Sequence, residues 1–565
     1  MQDKIDKIKL LDGLDVWHTK DVFNLPKLLM TDGPHGLRKQ LDVSDHLGKS
    51  GSIPSTAFPT ASLSACSFDR SLIKEMAAAI AIEAKANQVH MVLGPGINMK
   101  RSPLCGRNFE YFSEDPYVAG ELGAAYVRAM EDEGVGTSVK HFFCNNQEKN
   151  RFFVDSIVDE RALREIYLKA FQRVVKENPA SIMASYNKIN GYYGTESPVI
   201  KDILRDEWGF KGIVVSDWGA ISNRIKSLKA GCDLEMPSSM GYRTEELLSR
   251  SDEDPELHQA IDDSFERMKA FVLKYAKNHK VTYDVDQHHE LAVKVASESM
   301  VLLKNESILP LNPLEKVLMV TGFDENIRYQ GGGSSHINPH KLEQFRDIYS
   351  SYSSQLRLVK GFRIDRDLED QALLDEALLS AVKVDKVIVV VGLTDAMETE
   401  GFDRTHLNLP RNQNEIIKRL TQIHNNVCVV VLGGSVVNLD FEPYVKGILQ
   451  GYLGGQGSAR AIMNLLYGKT NPSGRLAETF IDRINQCNIA LNDDNNAVYY
   501  KESIYMGYRY YNTFDKPVRY PFGDGLSYSK FHYSNFHVEE NKGDYKVTFK
   551  LKNEGPYDGK EVILL

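Results

Sequence analysis

The stretch SIMASYNKINGYYGTESPVIKDILRDEWGFKGIVVSDW, residues 181–218, decides the fold. It contains two short apolar runs, IMA from Ile182 and IVV from Ile213, and each run ends abruptly in polar residues. A helical stretch lies between the two runs. This order of elements is typical of a βαβ unit in a parallel sheet.

The same rhythm extends to both sides of this stretch in the first half of the chain. Further apolar runs begin at Leu28, Met91 and Thr137, and amphipathic helices such as YVAGELGAAYVRAMEDEG separate them. Polar residues at the carboxyl ends of at least five strands favour a (β/α)8 TIM-like barrel over a Rossmann-like sheet, because a barrel gathers those ends around one pocket. We predict this barrel over residues 1–237 and a helical linker over residues 238–290.

A second series of strands and helices follows the linker. Its apolar runs are KVLMVTGF from Lys316, LRLVKG from Leu356, DKVIVVVGL from Asp385, NVCVVVLGGSVVNL from Asn426 and VKGILQGYLGG from Val445. Runs this rich in Val and Ile are typical of strands buried on both faces. We predict an α/β sandwich domain with a mostly parallel sheet over residues 291–525.

The pattern changes again after residue 525, where strands alternate between polar and apolar residues. The segments FHYSNFHVEE and YKVTFKLKNEGPYDGKEVILL predict the start of a β-sandwich over residues 526–565. We expect that only part of such a domain is present, because the segment of ~35 residues is well short of the ~100 residues of a sandwich domain. The sequence leaves open whether this end is a truncation or a gene model that stops early, and we expect the preceding domains to keep their chemistry.

Composition excludes several classes of protein. The chain of 565 residues is 42% hydrophobic and 26% charged, which excludes a disordered or low-complexity protein. The 68 Lys and Arg against 77 Asp and Glu give a net charge of -9, which argues against nucleic acid as a partner. No apolar run approaches the ~20 residues of a membrane helix, and six scattered cysteines without a C-x-x-C pair indicate free thiols. We expect a cytoplasmic protein without a membrane partner.

Charged and aromatic side chains gather at the predicted strand ends of the first domain. They are Asp32, Arg107, Lys140, His141, Arg151, Tyr186, Asp217 and Trp218. Asp and Arg can hold pairs of hydroxyls, and an aromatic plane packs on the apolar face of a sugar ring, so the set suits an uncharged, polyhydroxylated ligand. Taken singly, each has a simpler interpretation: a strand-end Asp often forms a turn, and Arg151 could lie on a solvated helix.

A loop of the second domain adds further carboxylates. The segment TDAMETEGFDRTHLNLP carries Asp395, Glu398, Glu400 and Asp403. It could be a solvated acidic loop. A loop that holds a carboxylic acid over a pocket containing another carboxylate is also what a glycosidase requires.

Cofactor and metal motifs are weak in this sequence. The glycine-rich pieces GGGSSHINP and GYLGGQGSARAI match neither G-x-G-x-x-G after a first strand nor a P-loop. His288 and His289 lack the i, i+4 spacing of a helical zinc site, so we expect them at the surface. We predict no cofactor and no metal.

Taken together, these segments resemble glycoside hydrolase family 3, and specifically its bacterial β-glucosidases. The matching stretches include TDGPHGLRKQ, GPGINMKRSPLCGRNFEYFSEDP, GTSVKHFFCNNQEKNR, SIMASYNKINGYYGTES, WGFKGIVVSDWGA, AGCDLEMP, METEGFDR and YPFGDGLSYSKF. The resemblance runs over nearly the whole chain. It implies retaining hydrolysis through a covalent glycosyl-enzyme intermediate, and the C-terminal tail looks like the start of a fibronectin type III domain.

The resemblance also implies roles for individual residues. Asp217 matches the family nucleophile, and Trp218 matches the aromatic residue that stacks on the sugar. The positions that line the subsite for the non-reducing-end sugar are Asp32, Arg107, Lys140, His141, Arg151, Met183 and Tyr186. Glu400 matches the acid/base, with Glu398 as second choice because this loop varies in length.

Electrostatics predicts different states for the two catalytic carboxyls. Positive charge from Lys140, His141 and Arg151 should lower the pKa of Asp217 and keep it ionised. Acidic neighbours such as Glu398 and Asp403 should raise the pKa of the general acid.

The function predicted is that of a retaining, exo-acting β-glucosidase that removes terminal non-reducing β-D-glucosyl residues. The alternatives are a β-xylosidase or α-L-arabinopyranosidase of the same family, a non-catalytic sugar-binding protein, and a nicotinamide-dependent enzyme that uses the second sheet. The expected partner is a small glycoside or oligosaccharide. The aglycone, the linkage and the oligomeric state, including a homo-oligomer, stay open.

Overall fold

The computed structural model describes residues 2–41, 51–277, 280–489 and 496–564. The strands, in chain order, are β1 (Met30–Asp32), β2 (Met91–Leu93), β3 (Gly136–Phe142), β4 (Asp155–Ile157), β5 (Ser181–Ala184), β6 (Lys188–Ile189), β7 (Tyr192–Tyr193), β8 (Ile213–Ser216), β9 (Val301–Asn305), β10 (Val317–Thr321), β11 (Leu356–Lys360), β12 (Lys386–Gly392), β13 (Val427–Leu432), β14 (Gly447–Gln450), β15 (Ala497–Tyr499), β16 (Phe531–Asn541) and β17 (Asp544–Asn553).

The helices are distributed along the whole chain. They are α1 (Gln2–Leu10), α2 (Ala61–Ser64), α3 (Arg70–Ala86), α4 (Pro116–Asp132), α5 (Glu160–Ala162), α6 (Lys169–Val175), α7 (Arg224–Ala230), α8 (Tyr242–Arg250), α9 (Pro255–Tyr275), α10 (Val285–Ser299), α11 (Phe345–Ile348), α12 (Gln371–Ala381), α13 (Arg411–Ile423), α14 (Ser458–Leu466) and α15 (Tyr508–Thr513). Leu163–Tyr167 and Ile200–Glu207 form π-helical turns. In the described part of the chain no helix has the length and apolar character needed to cross a membrane.

Capping side chains fix the starts of the helices that pack on the first sheet. Asp69 accepts hydrogen bonds from the amides of Ser71 and Leu72 at the start of α3. Asp115 accepts from Val118 at the start of α4, where a proline occupies the first helical position. Each cap satisfies amide groups that have no partner inside the helix, so the local sequence sets the point at which strand gives way to helix.

The first sheet has the strand order β1-β2-β3-β5-β8, and all of its pairs are parallel. Single bridges continue from its β8 edge: Val215 pairs with Leu234 and Asp12 with Glu235, both in parallel sense. Two antiparallel bridges, Gly13 with Thr19 and His18 with Leu29, lead back towards the β1 edge. The predicted α/β class with parallel strands is confirmed. This sheet has five strands, so it does not by itself establish the predicted eight-stranded barrel.

The second sheet has the order β11-β10-β12-β13-β14-β9. Its strands are parallel except for β9, which pairs antiparallel with β14 at one edge. The runs that begin at Lys316, Leu356, Asp385, Asn426 and Val445 form β10 to β14 in this order. From Val387 to Val391 every residue of β12 is fully buried, as is typical of a strand covered on both faces.

Contacts between distant segments join the two halves of the chain. β15 pairs in parallel with β4, across more than 300 residues of sequence. Lys100 and Glu478 form a buried ion pair at 2.9 Å, and Arg101 and Glu502 form another at 2.5 Å. The first sheet and the second are therefore packed together by charge pairs that neither half could satisfy alone.

The C-terminal strands β16 and β17 form an antiparallel hairpin. Its turn is Lys542-Gly543, where both residues have positive φ, as a two-residue hairpin turn requires. Most of its side chains are exposed. The alternating strands are where the sequence predicts them, and a fibronectin type III-like sandwich stays a prediction.

Two histidines differ from the expectation of surface positions. His289 is fully buried, with its ring nitrogens 2.9 Å from Gln456 Nε2 and 3.0 Å from an Arg460 guanidinium nitrogen. His288 Nδ1 lies 2.7 Å from Glu83 Oε1. The prediction was wrong because α10 carries these side chains on the face that packs against α3 and α14.

Candidate active site

A pocket lies at the carboxyl ends of the parallel strands of the first sheet. Asp32 ends β1, Lys140 and His141 lie in β3, Met183 lies in β5, and Asp217 follows β8. Since neighbouring parallel strands end at the same edge, these side chains come together. The lining of this strand-end pocket is Asp32, Leu93, Arg107, Lys140, His141, Met183, Tyr186, Asp217, Trp218, Ser334 and Glu400.

Nine of the ten predicted site residues line the strand-end pocket. The tenth, Arg151, lies behind Glu400, with its Nη1 2.9 Å from the Glu400 Oε1 atom. Leu93 and Ser334 are lining residues that the sequence did not single out. The sequence therefore predicted most of the pocket wall.

Asp217 presents one free carboxylate oxygen to the pocket. Its Oδ1 accepts a hydrogen bond from the amide of Trp218 at 2.7 Å. Its Oδ2 is buried and has no hydrogen-bond partner among the described residues, and the His141 Nε2 atom lies 3.7 Å away. An anchored carboxylate with one unpartnered oxygen is suited to attack an electrophilic carbon.

Aromatic side chains form the wall beside Asp217. The Trp218 ring packs against Trp17, with ring centroids 5.6 Å apart, and its Nε1 donates to the carbonyl of Val16 at 2.7 Å. Tyr186 donates its hydroxyl to the carbonyl of Trp218 at 3.0 Å. These contacts hold two rings in place, so they offer a pre-formed apolar surface for a flat ligand.

Asp32 lies between two cations at the far side of the pocket. Its Oδ1 is 3.5 Å from Lys140 Nζ, and its Oδ2 accepts from Arg38 Nη1 at 3.4 Å. Burial raises the pKa of the Asp32 carboxyl to about 6, although Lys140 and Arg38 act in the opposite direction. This carboxyl therefore changes its protonation state close to neutral pH.

Glu400 is held in the pocket by positive charge from the first sheet. Its Oε1 lies 3.5 Å from Arg107 Nη1 and 2.9 Å from Arg151 Nη1, and its Oε2 accepts from the Ser334 amide at 2.9 Å. Burial alone would raise the pKa of Glu400, but Arg107, Arg151 and the bond from Ser334 hold it far below its usual value. Glu400 is ionised in this arrangement.

The structure reverses the pKa directions expected from the sequence. Burial raises the pKa of Asp217 against the effect of Arg107 and Arg151. His141 adds no charge, because burial and the cations Arg107, Lys140 and Arg151 hold its pKa well below the usual value. For Asp217 the expectation was wrong because counting charges in sequence ignores desolvation, which is the largest effect on its pKa. For Glu400 it was wrong because desolvation is outweighed by Arg107, Arg151 and the Ser334 amide together, which lower the pKa.

The other two carboxylates of the Glu400 loop have structural partners. Glu398 is 2% exposed, does not line the strand-end pocket, and accepts from the Gly434 amide with both oxygens at 2.9 Å. Asp403 accepts from the amides of Gly106 at 3.1 Å, Glu148 at 2.9 Å and Lys149 at 2.9 Å. Neither acts on Glu400 as predicted: Glu398 faces another loop, and Asp403 ties the Glu400 loop to the first domain.

Glycines 331–333 allow a second loop to approach Glu400. A Cβ at Gly333, where φ is 109°, would lie 2.4 Å from the Cβ of Glu400, and one at Gly331 would lie 2.3 Å from the Phe109 ring. Only glycine fits such approaches. The run GGGSSHINP could have pointed to Ser334, but in sequence it was considered only as a nucleotide-binding loop. Arg38 lies in the motif TDGPHGLRKQ and was also missed.

The strand-end pocket has little free space, about 20 Å³. Its own charged side chains, which bond to one another, occupy most of it. Within the described residues no group of three or more His, Cys, Asp or Glu side chains is arranged to hold a metal ion. The chemistry that the site offers is that of two carboxylates carried by separate sheets.

Comparisons with known proteins agree over the whole chain. The family model for the glycosyl hydrolase family 3 N terminal domain matches residues 13–271, and that for the family 3 C-terminal domain matches residues 300–528. The thermostable beta-glucosidase B of Acetivibrio thermocellus is 43% identical over 99% of this chain and 76% of its own length. The exo-alpha-(1->6)-L-arabinopyranosidase of Bifidobacterium longum is 40% identical over 99% and 76%.

A solved structure gives the same result. The crystal structure of the Bifidobacterium adolescentis GH3 beta-glucosidase superposes with a TM-score of 0.93, at 39% identity, over 98% of this chain and 82% of that one. These matches confirm the resemblance carried by the motifs. The chain therefore belongs to glycoside hydrolase family 3 and is a glycoside hydrolase.

Proposed function

We propose that this enzyme is a retaining, exo-acting β-glucosidase that removes terminal non-reducing β-D-glucosyl residues. The observation that carries the proposal is the free Oδ2 of Asp217, buried in a pocket that also contains Glu400 from the second sheet. Retaining glycosidases need two carboxyl groups of this kind, one to attack the anomeric carbon and one to protonate the leaving oxygen. The relatives named as beta-glucosidases support glucose as the sugar.

In this proposal Asp217 is the nucleophile. Its Oδ1 stays bonded to the Trp218 amide, and its Oδ2 forms the covalent glycosyl-enzyme bond while the aglycone oxygen leaves. His141 is neutral and lies 3.7 Å from Oδ2, so it can orient the carboxylate without neutralising it. Trp218 supplies the ring on which the sugar stacks.

The remaining lining residues hold the sugar. Lys140 and Asp32, which accepts a hydrogen bond from Arg38, are placed to bind neighbouring hydroxyls at the end of the ring that lies away from the aglycone. Met183 and Tyr186 complete the wall. Because fixed charged groups form the far wall of the pocket, the terminal sugar of a chain would enter first. This supports cleavage from the chain end, which is the exo mode.

Glu400 is the acid/base, and it must change partners during the reaction. A general acid has to carry a proton, whereas Arg107 and Arg151 keep Glu400 ionised and in the way of a sugar ring. Entry of the sugar displaces Glu400 and gives the two guanidinium groups hydroxyls to bind instead. The pKa of Glu400 then rises, because its cation partners are lost in a buried site.

Glu398 is not the acid/base in this proposal. Both of its oxygens accept from the Gly434 amide, and Arg328 Nη2 lies 3.8 Å from its Oε2. These partners keep Glu398 out of the strand-end pocket and favour Glu400 as the acid/base.

A second candidate is α-L-arabinopyranosidase or β-xylosidase activity at the same site. The arabinopyranosidase of Bifidobacterium longum, at 40% identity, favours it. The chemistry would be the same, and only the groups around Asp32 would distinguish a hexose from a pentose. Sugar binding without catalysis is not favoured, because the chain is a glycoside hydrolase.

The proposal also includes a more detailed description of the fold. The five-stranded parallel sheet and the bridges through Leu234, Asp12 and Thr19 support a TIM-like barrel in which one connection runs antiparallel. Domain limits at residues 237, 290 and 525, a fibronectin type III-like tail, a cytoplasmic location and small glycosides as the partner are predictions of the same kind.

The test is a panel of 4-nitrophenyl glycosides assayed on one preparation. We expect kcat/KM to be highest for the β-D-glucoside, with the β-D-xyloside and α-L-arabinopyranoside lower. Proton NMR at early times should show release of β-glucose, the retained anomer. A higher kcat/KM for a pentoside would replace the first candidate by the second, and release of the α-anomer would exclude the covalent mechanism.

A further inference from the structure

A second cavity, of about 980 Å³, lies at the carboxyl ends of β10, β11 and β12. Its wall is formed mainly by four segments, residues 326–330, 363–367, 394–397 and 408–413, and single residues such as Phe323, Gly332 and His406 also line it. The nicotinamide and phosphate motifs that would explain such a cavity are missing from the sequence. We refer to these four segments and the space between them as the switch-point cavity.

The topology of the second sheet places this cavity where ligands bind in open α/β sheets. From β10 the chain crosses to β11 on one side and then returns to β12 on the other side. The two connections leave in opposite directions, and a crevice opens outside the strand ends at that point. This crevice is distinct from the strand-end pocket, which lies on the first sheet.

Three buried polar atoms of the cavity wall have no partner among the described residues. They are Arg328 Nε and Gln413 Nε2, which are donors, and Asn412 Oδ1, which is an acceptor. The three residues are 5%, 0% and 6% exposed. An unpartnered buried polar group is costly, so a ligand that offers both acceptors and donors would be stabilised here.

The charges of the wall are mostly paired with one another. Arg328 pairs with Asp395, and Arg363 pairs with Asp365 at 2.8 Å. Asp367 already accepts the Asn412 amide at the start of α13, at 3.0 Å, so a carboxylate occupies the place where a phosphate would bind. The three aspartates of the wall offset most of the charge of its four arginines, and the small remaining charge favours an uncharged ligand.

Apolar side chains complete the wall. Phe323, Tyr329, Ile364 and Met397 line the cavity beside the polar atoms. Apolar surface together with a few converging donors and acceptors is the composition that binds small polyhydroxylated molecules. A volume of about 980 Å³ leaves room for a ligand of disaccharide size.

We infer that the switch-point cavity is a second carbohydrate site, which binds an uncharged mono- or disaccharide without cleaving it. Hydroxyls accept from Arg328 Nε and Gln413 Nε2 and donate to Asn412 Oδ1. The site is separated from the strand-end pocket by two loops. Gly332 and Met397 face the cavity from the same loops that carry Ser334 and Glu400 to the pocket. The inference does not depend on which glycoside the enzyme cleaves.

The test counts cellobiose sites by isothermal titration in three proteins that carry Asp217→Asn, which prevents turnover. The first has no other change, the second adds Ile364→Trp to fill the cavity, and the third adds Leu368→Trp. Leu368 is 66% exposed and outside the cavity wall, so it is the matched control. We expect two, one and two sites, respectively.

The outcomes separate this inference from the proposed function. If the strand-end pocket did not bind cellobiose, the numbers would become one, none and one, and the cavity site would still stand. Identical isotherms in all three proteins would overturn the inference. So would the loss of one site in the Leu368→Trp control as well as in the Ile364→Trp protein. His406→Trp, at an exposed position of the wall, repeats the test without a change in the core. Binding of inorganic phosphate, ATP or NAD in place of cellobiose would also overturn it.

Discussion

The strand-end pocket and the switch-point cavity differ in how their polar groups are satisfied. In the pocket, with about 20 Å³ of free space, Asp32 and Glu400 bond to cations of the pocket itself. In the cavity, with about 980 Å³, two buried donors and one buried acceptor have no hydrogen-bond partner among the described residues. A ligand entering the pocket must exchange existing ion pairs and so change the charge state of a carboxyl, whereas a ligand in the cavity only fills vacant bonds. The first arrangement is suited to catalysis and the second to binding.

The largest effect should come from Asp217→Asn. Removal of the nucleophile should lower kcat for 4-nitrophenyl β-D-glucoside on the order of 10⁴-fold or more, because no covalent intermediate can form. Steady-state assays check this, with Asp263→Asn on the exposed face of α9 as a matched control and thermal melting as a check of folding. If the activity stayed within tenfold of the parent, Asp217 would not be the nucleophile and the strand-end pocket would not be the site of catalysis.

Glu400→Gln should have the next largest effect, a loss of about 10²–10⁴-fold in kcat/KM for cellobiose. The loss should be much smaller for 2,4-dinitrophenyl β-D-glucoside, since that leaving group departs without a proton. Glu398→Gln is the matched comparison within the same loop. If Glu398→Gln, rather than Glu400→Gln, showed this dependence on the leaving group, the assignment of the acid/base would be reversed.

Asp403→Asn should lower kcat about 10- to 100-fold, because a small misplacement of a catalytic group is enough to slow the reaction this much. Asp403 binds three amides of the first domain and so positions the Glu400 loop. The decrease should again be larger for cellobiose than for the dinitrophenyl glucoside, a signature that general destabilisation would not produce. An equal decrease for both substrates would argue against the positioning role.

The smallest expected effect is on the pH profile. Asp32, with a pKa of about 6, is protonated below that pH and can then no longer accept two hydroxyls. Asp217, whose pKa is also raised, must be ionised to attack. We therefore expect kcat/KM to fall about tenfold or more between pH 7 and pH 5. A flat profile over this range would show that burial does not raise these pKa values.

Local patterns in the sequence were sufficient for the strands and for most of the strand-end pocket. The apolar runs at Ile182 and Ile213 became β5 and β8, and the polar residues after them, Tyr186 and Asp217, line the pocket. Parallel strands bring their ends to one edge whatever the detailed packing, so the position of a polar residue at a strand end was enough. Ser334 was missed because it follows no strand of the first sheet.

The charge states and the second cavity could not be predicted in this way. Glu400 meets Arg151 across 249 residues, and Arg328 and Gln413 line the same cavity only because β10 and β12 are neighbours. Counting nearby charges in sequence also assigned the pKa directions of Asp217 and Glu400 the wrong way round. A pKa depends on burial and on distances through space, and neither is present in a linear pattern.

The sequence by itself determined the α/β class and the side chains at the strand ends, because hydrophobic period and strand-end position are local properties. Its motifs carried the resemblance to the family. Only the tertiary structure decided that Glu400 and not Glu398 faces Asp217, that Asp403 ties two sheets together, and that a roomy cavity opens beside the catalytic loop. These features depend on desolvation and on contacts between segments hundreds of residues apart, which form only when the two sheets pack together.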